Sequence, residues 1–157
     1  MKKLNLTTEK VLAAYNVVST AKYGKLEDAD KIKVWKIARA LKPVATKFDE
    51  DTRDAAEKMK PSDDYDDRLM KARQYERLSR QKDADMSKSE MGPAEYDAFM
   101  KEFEAYNKLV ADTIKDFAKK EVEIEFEPIS EDAFCKLMDS NDWTIEQVTI
   151  LGDIICE

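Results

Sequence analysis

The clearest alternation of polar and apolar residues lies at residues 121–129, EVEIEFEPI. Valine, isoleucine and phenylalanine alternate there with four glutamates, which is the period of two of a strand with one buried and one exposed face. The exposed face is predicted to carry Glu121, Glu123, Glu125 and Glu127. A lone strand leaves its backbone groups without partners, and the other strand-like segment is residues 3–6. We therefore predict that residues 3–6 pair with residues 121–127, and that Val122, Ile124 and Phe126 are buried.

Apolar residues elsewhere recur at spacings of three and four, which indicates amphipathic helices. One helix is predicted to follow Thr7 and Thr8 and to end near Gly24, because glycine is common at helix ends. A long second helix is predicted to start at Asp28 or Asp30 and to end before residue 61, a proline.

Proline at position 43 lies inside the second helix, so we expect a kink or a break near residues 41–42. A third strong pattern begins at Pro93 and predicts a long helix with an apolar stripe in the core. The stripe consists of Tyr96, Phe99, Phe103, Tyr106, Val110, Ile114 and Phe117. After the predicted strand, Ser130 is expected to cap a short helix, and Thr144 with Gln147 forms a capping-box pattern for the last one.

Residues 61–92 differ in composition from the rest of the chain. Acidic residues at 63–67 precede a basic run at 68–82, and few apolar residues lie between them. The few apolar residues of this segment allow one modest amphipathic helix. Residues 81–92 have the composition of a mobile loop. We predict a single domain of residues 1–157 with residues 61–92 as a charged, mobile insertion.

The fold class follows from these elements and from the scarcity of turn residues. The 157 residues include 3 glycines and 4 prolines, too few for the many turns of an all-β protein. The predicted fold is α+β and mainly α, with five or six helices and a two-stranded sheet of residues 3–6 and 121–127.

Composition excludes most familiar kinds of site. The chain has no histidine, which removes the commonest general base and metal ligand, and Cys135 and Cys156 lack a metal-binding spacing. The acidic group Asp63, Asp64, Asp66 and Asp67 could hold a hard cation, but it lacks the glycine and the spacing of a calcium loop, and a solvated helix start explains it better. We expect no enzymatic activity, no cofactor and no bound metal.

Charge and hydropathy bear on the partner. The chain has 34 acidic and 27 basic residues and a formal net charge of -7, which favours a protein partner with a basic surface over direct nucleic-acid binding. No apolar run is long enough to cross a membrane, so no membrane contact is expected.

The glutamates of the predicted strand are the most distinctive candidate contact, because like charges on one strand face repel one another. They are either a device against aggregation at a sheet edge or an acidic docking face. The basic run at residues 68–82 is either a solvated helix face or a contact for an acidic protein or a phosphate. Trp143 belongs either to the core or to an interface. The predicted partner-binding residues outside the strand are Arg68, Arg73, Arg77 and Trp143.

Three blocks of the sequence resemble an uncharacterised family of small phage and prophage proteins from long-tailed phages, often encoded among structural and tail genes. The blocks are LNLTTEKVLAAYNVV, KIKVWKIARALKPVATKFDEDTRDA and YNKLVADTIKDFAKKEVEIEFEPIS. The resemblance brings no catalytic residues. It implies a phage protein found in the cytoplasm of the infected host cell or incorporated in the virion.

Two functions follow as hypotheses. The first is a non-enzymatic protein that acts through protein contacts as an accessory of virion or tail assembly. The alternative is a phage-encoded inhibitor of a host defence system, similar to anti-CRISPR proteins, whose acidic surface imitates nucleic acid. A metal-dependent enzyme using Asp63 to Asp67 is a third and weaker hypothesis.

Overall fold

Six α-helices and one two-stranded antiparallel sheet make up the protein in a computed structural model that describes residues 1–157. This confirms the predicted α+β, mainly α, fold. In chain order the elements are β1 (Lys2–Thr7), α1 (Thr8–Ser19), α2 (Asp28–Lys58), α3 (Tyr65–Arg80), a 3₁₀ turn (Met86–Lys88), α4 (Pro93–Lys119), β2 (Glu121–Phe126), α5 (Glu131–Ser140) and α6 (Ile145–Ile155).

The chain divides into two compact units. Unit 1 comprises Met1–Asp51 and Lys115–Glu157, and unit 2 comprises Thr52–Ile114. Helices α2 and α4 each contribute residues to both units. All of the segment 61–92, which the sequence marks as a charged insertion, belongs to unit 2.

The sheet of unit 1 has the predicted pairing. Strand β1 runs antiparallel to β2, with Leu4 opposite Ile124 and Leu6 opposite Val122. Apolar side chains from both strands therefore share one face, which packs on the helices. Ile124 and Phe126 are buried as predicted, whereas Val122 is only half-buried because it lines a pocket near the end of the sheet.

The core of unit 1 joins α1, α2, α5 and α6 to β2. Its largest members are apolar residues at helical spacing on each helix. They include Val11, Val18, Val34, Ile37, Leu41, Phe134, Leu137, Leu151, Ile154 and Ile155. The C-terminus joins this core through a bridge, in which the Ile129 N–H donates to the Ile155 carbonyl at 2.9 Å and the Glu157 N–H donates to the Ile129 carbonyl at 3.0 Å.

Helix α1 ends at Ser19, and the predicted end near Gly24 is wrong. The hydroxyl of Thr20 donates to the Asn16 carbonyl at 3.0 Å, so a polar side chain satisfies part of the helix end without a glycine. The segment that follows is held by the Asn141 side chain, which accepts from the Lys22 N–H and donates to the Lys22 carbonyl, both at 2.8 Å.

Helix α2 continues through Pro43, so of the kink or break predicted near residues 41–42 the break does not occur, and the kink stays a prediction. Proline removes one backbone hydrogen bond from a helix interior. Leu41 and Ala45 on either side of it are buried, and this packing keeps both halves of the helix in place.

Unit 2 has a small aromatic core between α3 and α4. Tyr65 and Phe99 are buried with ring centroids 5.6 Å apart, and Tyr75 stacks on Tyr96 at 4.4 Å. Of the α4 stripe that the sequence assigns to the core, Phe99 alone is fully buried, and the other stripe residues are half-buried because fewer residues pack over them.

The connection between α3 and α4 contains the 3₁₀ turn, and the Asp85 side chain accepts a hydrogen bond from the Ser87 N–H at 3.0 Å. Met91 at its end is buried in the aromatic core. The mobility of this segment stays a prediction.

Substitution of Phe126 by alanine tests the burial of the β2 apolar face. We expect a loss of about 3 to 5 kcal/mol in the free energy of unfolding, because a 2% exposed phenylalanine leaves a cavity. Urea denaturation measures this loss, and Asn5→Ala on the exposed face of β1 is the control. A loss no larger than that of the control would contradict the assigned register.

The hydroxyl of Tyr96 tests the packing of unit 2. It donates to Glu76 Oε1 at 2.6 Å, and this hydrogen bond raises the pKa of Tyr96 to about 12. An unfolded tyrosine ionises near pH 10, so the stability from this bond is present below pH 10 and is lost as the pH rises from about 10 to about 12.

Absorbance titration of the tyrosines measures this pKa directly. The Tyr96→Phe variant should lose an ionisation step near pH 12, and Glu76→Gln should move that step toward pH 10. If Tyr96→Phe removes a step near pH 10 instead, the hydrogen bond is absent in solution.

Candidate protein-binding surface

The glutamate face, defined as Glu121, Glu123, Glu125 and Glu127, is a row of exposed carboxylates at β2 and just beyond its end. Alternate residues of a strand lie about 6.8 Å apart, which sets the spacing of the row. Across the sheet, Glu121 lies opposite Thr7, Glu123 opposite Asn5 and Glu125 opposite Lys3. The register therefore supplies one cation from β1 to the row.

The four carboxylates differ in their charge partners. Lys3 Nζ lies 3.8 Å from Glu125 Oε2, and Lys33 Nζ of α2 lies 3.1 Å from Glu127 Oε1. Glu121 and Glu123 form no salt bridge. The row thus has a compensated half and an uncompensated half, and the uncompensated charges lie at the N-terminal end of β2.

The compensation comes partly from residues that the local sequence does not indicate. Lys119 and Lys120 directly precede β2, but neither pairs with the glutamate face. Lys33 is far away in sequence and reaches Glu127 because α2 packs on the strand through the shared core.

The basic residues predicted as contacts have different environments in unit 2. Arg68 Nη2 lies 2.8 Å from Glu102 Oε2, and its guanidinium lies 5.2 Å from the centroid of the Phe99 ring. The hydrogen bond to Glu102 raises the pKa of Arg68. Arg73 and Arg77 are exposed and form no salt bridge, so Arg68 has a structural role that the other two lack.

Trp143 is half-buried in unit 1 and packs beside Phe134, with ring centroids 6.3 Å apart. The structure places it at the margin of the core. Trp35 on α2 is more available, since it is 55% exposed and the Arg39 guanidinium lies 4.7 Å from its ring centroid. The sequence does not distinguish these two tryptophans, because both lie in amphipathic segments.

The acidic cluster at residues 63–67 is engaged with neighbouring side chains. Asp64 Oδ1 accepts from the Ser62 hydroxyl at 2.6 Å, which lowers the pKa of Asp64. Asp66 pairs with Lys60 at 2.8 Å, and Asp67 pairs with Lys71 at 3.2 Å. No group of three cysteine, aspartate or glutamate side chains is arranged to hold a metal ion.

A pocket of about 230 Å³ in unit 1 is the feature that sequence analysis missed. Its lining comes from residues far apart in the chain, including Pro43, Phe117 and Val122. The one local signal is Pro43 itself, a residue that disfavours helix but lies in the middle of a helical pattern.

Comparisons with known proteins give no relative. No known protein family, curated protein or solved structure matches the chain. None of the helices combines the length and the apolar character that a membrane crossing requires.

Removal of single charges tests the unequal halves of the glutamate face. Glu123→Gln should raise the free energy of unfolding by less than about 1 kcal/mol, because it relieves repulsion between like charges. Glu125→Gln makes the same change in net charge but also removes the Lys3 pair, so it should give no gain. Thermal unfolding in low salt measures the difference.

In about 1 M salt the two variants should become equal, because the Debye length falls to about 3 Å. Equal effects of the two variants in low salt would contradict the assigned pairing.

Proposed function

We propose that this protein acts without catalysis, by binding a second protein through the uncompensated half of the glutamate face. The observation that carries this proposal is the exposure of Glu121 and Glu123 on a paired strand with no cation in salt-bridge range. A basic surface on the partner would supply the missing charges and would speed association at low salt.

The cost of this arrangement supports a role in binding. Like charges in neighbouring positions on one sheet face destabilise the isolated fold. A row of charges that only prevented pairing at a sheet edge would work equally well if some of the glutamates were lysines. Two cations, Lys3 and Lys33, already compensate one half of the row, so the uncompensated half is the part available to a partner.

For the biological setting we propose an accessory of virion or tail assembly in a long-tailed phage. The support is the resemblance of the three sequence blocks to phage proteins encoded among structural and tail genes. The protein would then act in the cytoplasm of the infected cell or as part of the virion.

A second candidate is an inhibitor of a host defence system. The row of carboxylates, spaced about 6.8 Å apart along one strand, would offer repeated negative charges to a nucleic-acid-binding site. Pairing of Glu125 and Glu127 with lysines shortens the uncompensated part of the row, and this favours the assembly role.

Quantitative affinity capture tests the proposal with three versions of the full chain. The versions are the native sequence, Glu121→Gln with Glu123→Gln, and a control that replaces exposed Glu104 and Asp112 of α4 by their amides. Both variants lose the same net charge, so an effect of overall charge is separated from an effect of the glutamate face.

The bait is incubated with a lysate of phage-producing cells that carry this gene, and bound proteins are quantified by mass spectrometry. We expect one protein with a basic surface to be enriched by the native chain and the control and lost with the glutamate-face variant. A virion or tail protein supports the assembly role, and a defence nuclease or its complex supports the second candidate. Equal capture by all three versions, or no enrichment, would refute binding through this face.

A further inference from the structure

A second surface of unit 1 has the opposite charge and lies along α2 around Pro43. Its centre is the anchor pocket, the cavity of about 230 Å³ described above, which is partly open to solvent. Side chains from α2, α4 and β2 form its apolar wall. These are Pro43, Val44, Phe48, Phe117 and Val122.

The rim of the anchor pocket is positively charged. Lys47 and Lys120 are both exposed and line the pocket together with Asp51. Lys47 Nζ bonds to Asp51 Oδ2 at 2.7 Å, which neutralises one cation and one anion. Lys120 is exposed and forms no salt bridge, so it leaves a net positive charge at the mouth.

A shallow cationic groove adjoins the pocket and shares Pro43 and Lys47 with it. Its volume is about 660 Å³, and the other residues that line it are Arg39, Lys42, Thr46 and Glu50. Arg39 and Lys42 are exposed and form no salt bridge, although the whole chain has a net charge of -7.

Pro43 connects these two features. A proline in the interior of a helix gives up a backbone hydrogen bond, and the Pro43 ring itself is exposed, so its own side chain contributes no core burial against that loss. Its ring lies in the wall of both the pocket and the groove. A position that breaks a local rule in this way is commonly a functional one.

The dimensions decide what kind of ligand fits. A dry apolar cavity of about 150 Å³ binds benzene, so the anchor pocket has room for one aromatic or large aliphatic side chain. Pockets for whole small molecules usually exceed about 300 Å³, and this one is smaller. Interfaces between proteins typically place such an anchor residue in a pocket and surround it with polar contacts.

We propose that this surface binds an acidic peptide segment of a partner protein. One aromatic or large aliphatic residue of the segment fills the anchor pocket, and its flanking carboxylates pair with Arg39, Lys42 and Lys120. The inference does not depend on the role of the glutamate face, because it concerns different residues and the opposite charge. With both surfaces, unit 1 would join a basic partner and an acidic partner.

Selection from a displayed library of random 12-residue peptides tests this proposal on the full chain. We expect the enriched peptides to share one aromatic or large aliphatic residue flanked by aspartate or glutamate. Binding of a synthetic enriched peptide is then measured by fluorescence polarisation, together with one form that has alanine at the anchor and one that has amides for the acids. Each altered peptide should bind at least tenfold more weakly.

Protein variants and NMR assign the site. Arg39→Gln with Lys42→Gln should weaken the peptide at least tenfold, and the control Lys10→Gln with Lys115→Gln, which removes the same charge from exposed positions, should not. Methyl resonances of Val44 and Val122 should shift during titration, and this readout needs no substitution in the pocket.

Several outcomes would overturn the proposal. They are the absence of enrichment, a consensus without acidic residues, equal binding by the Arg39/Lys42 variant and its control, and shifts confined to other methyl groups. Sedimentation of the free chain gives a further check. Self-association that both the Arg39/Lys42 variant and the Glu121/Glu123 variant abolish would identify a second copy as the occupant and overturn a separate acidic partner.

Discussion

The antiparallel pairing of Lys2–Thr7 with Glu121–Phe126 is the interaction on which unit 1 depends. It joins the start of the chain to a segment in its last third, and closing so long a loop costs conformational entropy. Burial of Ile124 and Phe126 against four helices offsets that cost. Beyond the ladder, the Thr8 N–H and hydroxyl both donate to the Lys120 carbonyl at 2.8 Å. An isolated bridge between Ile129 and Cys156 ties the C-terminus to the segment that follows β2.

The same pairing positions both candidate contact surfaces. Strand side chains alternate between faces, so a slip of one residue would turn the glutamates toward the core and the apolar residues toward solvent. The observed register places Lys3 opposite Glu125 and leaves Glu123 opposite the uncharged Asn5, which creates the uncompensated half of the glutamate face. The end of the ladder also places Thr8 and Val122 in the lining of the anchor pocket.

The sequence predicts the features that depend on local period and misses those that depend on distant residues. The strand, its partner and the long helices follow from spacings of two and of three to four, and the structure confirms them. The end of α1 could not be predicted, because Asn141 fixes the chain after it. The continuity of α2 at Pro43 depends on core packing at Leu41 and Ala45. Likewise, the Glu102 pair of Arg68 and the anchor pocket arise from residues that only the fold brings together.

Native-state hydrogen exchange tests most directly whether the strand pairing holds unit 1 together. The amides to follow are those of Thr8 and Ile129, whose acceptors are the carbonyls of Lys120 and Ile155. The account predicts that both exchange only through unfolding of unit 1, as slowly as the amide of buried Leu41 in α2. Exchange of Thr8 as fast as that of the exposed residues 81–83 would show that the N-terminal strand opens independently. Equally fast exchange of Ile129 would show that the C-terminal bridge opens independently, and either result would contradict the account.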